Sequence, residues 1–409
     1  MVERVVTTRR AATRIRRAVG AALVGILAIG ALTACDWPRR LFAGGVEEIF
    51  ETSFYLSPTP APSGQPGEIL RSQPIESAPD GVDAYRVVYH STDLNGKDIL
   101  VSGVVAVPEG PAPEGGRTVV AWGHPTTGIA PRCAPSVGID PFDLIEGFSE
   151  LIARGYAVAY TDYSGMGMAG ESAYLIGSTE GRNVLDSVRA ARQLDIGASD
   201  RVALWGHSQG GQAVLFAAQL AADYAPELDV EAVAVAAPAV DLGGLLDADI
   251  DDISGVTISA YAFDVFVDVY GSTPGVSLET ILVPAAVDVV PRMAQLCLLG
   301  QNAALHELGA PFIDGAFLIA DPATTEPWAS LLKENTPGGV RLDMPLFVAQ
   351  GASDTLVRPE LTARFVAEQQ GLGTDVTSIV IADTGHGLVA LRALPELLPW
   401  LDAHAPAAR

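Results

Sequence analysis

The sequence predicts an α/β protein, a mostly parallel sheet covered by helices on both faces and interrupted by one long helical insertion. Three observations predict it. Short, uninterrupted apolar runs alternate with amphipathic segments, the pattern of βαβ units whose strands are buried on both sides. The polar residues of chemical interest fall just after those runs, at the carboxyl ends of strands, where such sheets bind ligands. The alternation also stops for about a hundred residues, from Asp241 to Asp343, and then resumes.

Taken in order, the chain begins with "MVERVVTTRRAATRIRR", six arginines against one glutamate, and then runs without charge through "AVGAALVGILAIGALTAC". A basic region followed by a short apolar one is the pattern of a secretory signal. The apolar run is shorter than the ~20 residues that span a bilayer. Its end, Leu32-Thr33-Ala34-Cys35, resembles a bacterial lipobox, in which the cysteine is lipidated and anchors the exported protein to a membrane. An ordinary cleavable signal with a chance cysteine is the plain alternative. Residues 1–35 are therefore read as signal, and 36–80, rich in Pro, Gly and Ser towards their end, as a tether and lead-in.

Export bears on the other two cysteines, Cys133 and Cys297. With Cys35 lipidated, an even pair remains in an oxidising compartment, which points to a Cys133–Cys297 disulfide closing 164 residues. Two buried thiols are the alternative. No metal is expected, since neither cysteine has a ligand-spaced partner.

From residue 81 the elements become orderly. "AYRVVYHS" and "KDILVSGVVAVP" read as an antiparallel strand pair, and "RTVVAWG" as a buried strand. "PFDLIEGFSELIARG" has the spacing of an amphipathic helix, "YAVAYTDY" is the next strand, and "EGRNVLDSVRAARQL" is helical through Val184, Val188 and Ala191. "RVALW", a helix from Gly210, and "VEAVAVAAP" close the first block, residues 81–240. The second block, 344–405, holds "MPLFVAQG", "PELTARFVAEQQ", "VTSIVIADTGH" and a final helix. The interval 241–343, on the ligand side of the sheet, is predicted to be a helical cap.

Composition narrows the function. The chain of 409 residues is 49% apolar and 18% charged, enough for a large core. Its 25 Lys and Arg against 49 Asp and Glu give a net charge of −24, with no cationic surplus to displace phosphate counterions, so a nucleic-acid partner is excluded.

The chemistry centres on Gly206-His207-Ser208-Gln209-Gly210, between an apolar strand and an Ala-rich helix. A strained strand–turn–helix junction that exposes a nucleophilic serine needs small residues two positions away on either side. Such a serine needs a base, and the base an orienting acid, arriving in the order Ser, Asp or Glu, His. The turn after "MPLFVAQ" presents Asp354 and the turn after "VTSIVIA" presents His386. Asp383, three residues from His386, reads as a residue shaping that turn. Among the other histidines, His207 reads as packing, because neighbours diverge on a sharp elbow. His90 and His404, near element ends, read as solvated. A place at the cleft is open for His306. The oxyanion of an acyl-transfer intermediate needs two donors. One is the backbone N–H of Gln209. Pro125 has none, so Thr126 is the better second donor in "HPTTGIAPRC", with Thr127 next.

Gly206–Gly210, "HPTTG", "TDYSGMG", Asp354, His386 and the long insertion together resemble the secretory lipase family of the α/β-hydrolase fold; the segment "FYLSPTPAPSGQPGEILRSQPI" is similar to that family's N-terminus. The resemblance implies Ser208 as nucleophile, Asp354 as acid, His386 as base, a cap over an acyl tunnel, a disulfide near the oxyanion loop, and residues from about 54 packed on the domain. It implies an exported lipase or esterase that cleaves a lipid-like ester without cofactor or metal. A serine peptidase of the same fold and a non-catalytic binding protein are the alternatives, and the sequence indicates no oligomeric state.

Overall fold

The computed structural model describes residues 53–138 and 140–408, all within the compact unit Glu47–Arg409. The signal region 1–35, with Cys35, and the start of the tether lie outside the described residues.

Among the described residues, nine strands form one sheet. In chain order the elements are β1 (Ile69–Pro74), β2 (Val82–Thr92), β3 (Asp98–Pro108), β4 (Arg117–Gly123), α1 (Phe148–Arg154), β5 (Ala157–Thr161), α2 (Gly177–Gln193), β6 (Ala198–His207), α3 (Gln209–Tyr224) and β7 (Asp229–Ala236). The helices α4 (Leu242–Asp249), α5 (Ile253–Tyr270), α6 (Pro284–Val287), α7 (Val290–Met293), α8 (Asn302–Gly309) and α9 (Trp328–Glu334) follow. The chain returns to the sheet with β8 (Leu346–Gly351), α10 (Pro359–Leu372), β9 (Val376–Ile381) and α11 (Val389–His404). The strand order is β1-β2-β3-β5-β4-β6-β7-β8-β9. The pairs β1–β2, β2–β3 and β3–β5 are antiparallel, and every pair from β5–β4 to β8–β9 is parallel.

Alternation along the strands decides what each face buries. On β6, Val202 and Leu204 pack with Val184 and Val188 of α2 and with Val214 of α3. Ala203 and Trp205 face into the core that also holds Phe148 of α1 and Leu401 of α11. Trp205 also lies 5.5 Å, ring to ring, from Trp122 of β4. Burying an aromatic side chain of this kind contributes about 1.5–3 kcal/mol, so the two tryptophans fix how β4 and β6 lie under the residues at their carboxyl ends.

The helix expected from Pro141 is shorter than its pattern. Residues 141–147 are turns that still bury Phe142 and Ile145, and α1 starts only after Gly147, whose φ of 90° is left-handed. This left-handed backbone, which favours glycine, interrupts the helix at Gly147.

Within the lead-in, Ile69–Pro74 forms β1 on the edge of the sheet. Phe54 is buried with Val88 and Met168, and the Arg71 guanidinium donates to the carbonyls of Ser53, Phe54 and Leu56. His90, read as solvated, is buried: its Nδ1 lies 2.8 Å from Asp98 Oδ1. The β2–β3 hairpin turns the ring inward and supplies its carboxyl partner. His404 is half-buried against Trp400.

The interval between β7 and β8 has its own core around Phe263, Phe266 and Trp328. Helix α5 is long and apolar enough to cross a membrane by length and composition. Its buried face, including Val256, Phe263 and Phe266, accounts for that apolarity as core packing.

Candidate active site

Ser208 sits between β6 and α3 with φ 59° and ψ −118°, left-handed backbone that costs a non-glycine residue about 1–3 kcal/mol. The turn is tight enough to dictate its neighbours. A Cβ on Gly206 would come within 2.2 Å of the Gly210 carbonyl oxygen, and one on Gly210 within 1.9 Å of the Gly123 carbonyl oxygen. The glycines flanking the serine are thus required by backbone approach.

The sheet brings the distant partners together. Ser208 Oγ lies 2.9 Å from His386 Nε2, and His386 Nδ1 lies 2.9 Å from Asp354 Oδ2. The other Asp354 oxygen accepts the N–H groups of Leu356 and Val357, both at 2.9 Å. The acid is therefore fixed by its own turn and presents one oxygen to the ring. With Nδ1–H donating to Asp354, Nε2 is left to accept the serine proton. Burial is the largest influence on His386 and lowers its pKa; the Asp354 hydrogen bond opposes this, and His207 reinforces it. Asp383 is exposed, and its carbonyl accepts Arg392 Nη1 at 2.7 Å.

His207 does more than pack. Its Nδ1 lies 3.0 Å from Glu146 Oε2 and its Nε2 3.1 Å from the His386 carbonyl oxygen. Burial is the largest influence and opposes a charge on this ring, but Glu146, Asp354 and the His386 carbonyl together outweigh it and the pKa is raised. The pairing crosses 61 residues to Glu146 and 179 to His386, so no local pattern announces it.

Two backbone N–H groups are available beside Ser208. Among the described residues, neither Gln209 nor Thr126 donates its N–H to another protein group, and both residues line the same cavity as Ser208. Thr126 Oγ1 also lies 3.0 Å from the Tyr174 hydroxyl. Thr127 is committed elsewhere: its hydroxyl donates to the Cys133 carbonyl, and its own carbonyl accepts the Leu298 N–H, both at 2.9 Å. Cys133 and Cys297 form a disulfide with an S–S distance of 2.10 Å, so the loop carrying Thr126 is stitched to the segment after α7.

Two buried groups behind this loop were not singled out in the sequence. The His124 ring lies 4.5 Å from that of Tyr163, tilted by 36°, and donates Nδ1–H to the Pro125 carbonyl; burial pushes its pKa down to about 4. Glu180 is fully buried in α2, accepts the Gln209 carboxamide at 2.6 Å and the Leu175 N–H at 3.2 Å, and is pushed by burial up to about 8. A signal for Glu180 did exist: it stands four residues before Val184 and eight before Val188, on the apolar stripe of its helix.

The cavity over Ser208 encloses about 80 Å³. Its walls are mainly apolar, contributed by α4, α5, Leu332 of α9, and Leu356 and Val357 of the acid turn. His306 is exposed on α8 and is not part of this lining. Among the described residues no cluster of His, Cys, Asp and Glu could hold a metal ion.

A serine in a strained strand–helix turn on a mostly parallel sheet, with an aspartate and a histidine on the following strand ends, is the arrangement of an α/β-hydrolase. The model of the secretory lipase family matches residues 143–406, well over half of the chain. The protein belongs to the secretory lipase family. It is 25% identical over 86% of its length to a secreted triacylglycerol lipase of Malassezia globosa, covering 78% of that protein. It is 29% identical to a probable inactive lipase of Mycobacterium tuberculosis, a match spanning 46% of each chain; against that relative the chain aligns over less than half the length. Candida antarctica lipase A in its closed state superposes with a TM-score of 0.70 over 87% of this chain and 86% of that one, at 20% identity, a likeness of fold. In this member of the family, Ser208, Asp354, His386, Gln209 and Thr126 converge on one cavity edge or its hydrogen-bond chain.

Proposed function

We propose that the protein is an exported serine hydrolase that cleaves carboxylic esters through an acyl-enzyme, as a lipase or carboxylesterase. The observation that carries the reading is the unbroken hydrogen-bond chain Asp354–His386–Ser208, opening onto an apolar cavity.

In this mechanism His386 Nε2 takes the Ser208 proton as Oγ attacks the ester carbonyl. The resulting oxyanion is held by the N–H groups of Gln209 and Thr126. Asp354 stabilises the imidazolium, which returns its proton to the leaving alcohol as the C–O bond breaks. Water, activated by the same imidazole, then releases the acid and restores the serine. Helices α4–α9 act as the cap, whose apolar walls favour an acyl chain over a polar substrate. Through Cys35 the enzyme would be tethered to the membrane by its lipid.

A fluorophosphonate probe tests the class, and p-nitrophenyl esters of rising chain length test the substrate. Labelling at Ser208 with ester turnover supports the reading. No labelling returns the chain to the non-catalytic alternative, and labelling without activity on any ester favours the peptidase.

A further inference from the structure

The cavity face of the insertion is written in helical steps. On α4 it consists of Leu242, Leu245, Leu246 and Asp249, and on α5 of residues such as Ile258, Ala262 and Phe263 around Ser259. These are i, i+3, i+4, i+7 stripes, the pattern of an apolar helix face. Asp249 interrupts one stripe and Ser259 the other. Asp249 is 4% exposed, a burial that carboxyl groups rarely accept without full pairing.

Its pairing is weak. Arg358 Nη2 reaches Asp249 Oδ1 only at 3.5 Å and gives its closer contact to the Ala248 carbonyl. The one side-chain contact to the Asp249 carboxyl falls on Oδ1, and both Asp249 and Ser259 line the cavity. A weakly paired carboxyl facing a substrate cavity calls for a donor carried by the substrate. The neighbouring guanidinium disfavours a cationic donor. A neutral hydroxyl fits.

We propose that Asp249, assisted by Ser259, selects esters that carry a free hydroxyl away from the scissile bond, either on the acyl chain or on the alcohol, as in a partially acylated polyol. The inference rests on the hydrolase reading and adds its substrate class. Arg358, Asp252 and Asp354 are the charged groups acting on Asp249; burial prevails over Arg358 and raises the carboxyl to about 7. It therefore passes from neutral to ionised, and becomes the stronger acceptor, across the neutral range.

The test compares matched esters: monobutyrin with propyl butyrate for the alcohol side, and p-nitrophenyl 6-hydroxyhexanoate with p-nitrophenyl hexanoate for the acyl side. The full exported chain should prefer the hydroxylated member of at least one pair by about tenfold to a hundredfold in kcat/KM. Asp249→Leu should bring that ratio to about one, whereas Asp249→Asn, whose amide oxygen still accepts, keeps part of it. In the wild type the ratio should rise between pH 5.5 and 8.5, because ionisation of the shared triad cancels between paired esters; this series decides the matter even where Asp249→Leu does not fold. Ratios near one for both pairs, a ratio flat with pH, or a ratio untouched in a labelled Asp249→Leu enzyme would each overturn the proposal. Failure to cleave any ester would instead overturn the hydrolase reading beneath it.

Discussion

His207 Nε2 stands 3.1 Å from the backbone carbonyl oxygen of His386, so the residue before Ser208 holds the turn that delivers the imidazole to Ser208. With Glu146 on its other nitrogen, the ring is a two-ended strut between α1's approach and the base. His207→Phe should lower kcat on p-nitrophenyl butyrate about tenfold to a hundredfold, the cost of a misplaced catalytic group, and change KM little. An unchanged kcat would remove the strut from the account.

Burial lowers the His386 pKa, with the Asp354 hydrogen bond only partly offsetting it. A base with a lowered pKa stays neutral, and competent, into more acid solution. The acid limb of kcat/KM should thus lie below the ordinary histidine value of ~6.5. His207 pushes in the same direction, so His207→Phe should move the limb towards higher pH. A wild-type limb above the ordinary value would contradict the burial argument.

Glu180, raised to about 8 in the folded chain, links stability to pH. Its unfolded value is near ~4.3, so below that pH both states are protonated and the fold carries no penalty from this group. Between that value and 8 the unfolded chain ionises while the folded one stays neutral, and stability falls as pH rises. Glu180→Gln removes this dependence. The Tm of the variant relative to wild type should climb steadily from pH 5 to pH 8; a constant difference would mean that the carboxyl is ionised in the fold.

The Cys133–Cys297 bridge closes 164 residues and joins the loop carrying Thr126 to the insertion. Replacing both cysteines by serine should cost about 2–5 kcal/mol, read as a lower Tm by calorimetry. Activity should fall as well, because Leu298 would no longer be held against Thr127. A double variant with wild-type Tm would show that the loop is held by packing alone.

Ser208, Asp354 and His386 were legible in the sequence because each follows a short apolar strand, and the sheet geometry does the rest. The elbow was legible because its glycines answer a local steric demand. Other features arise from contacts across the chain. Glu146 meets His207 across 61 residues, and His90 is buried by a hairpin partner eight residues away. The stretch 141–147 has helical periodicity but is interrupted by the left-handed backbone at Gly147. The carboxyl of Asp249 sits on an apolar stripe that became visible only once the bounds of α4 were known.

The central claim is that Ser208 is the nucleophile, and its most direct measurement is kcat/KM for p-nitrophenyl butyrate with Ser208→Ala, in protein shown to be folded by its Tm. A fall of about 10^4 or more is expected, with fluorophosphonate labelling abolished. Retention of most of the activity would contradict it and place the chemistry at another residue.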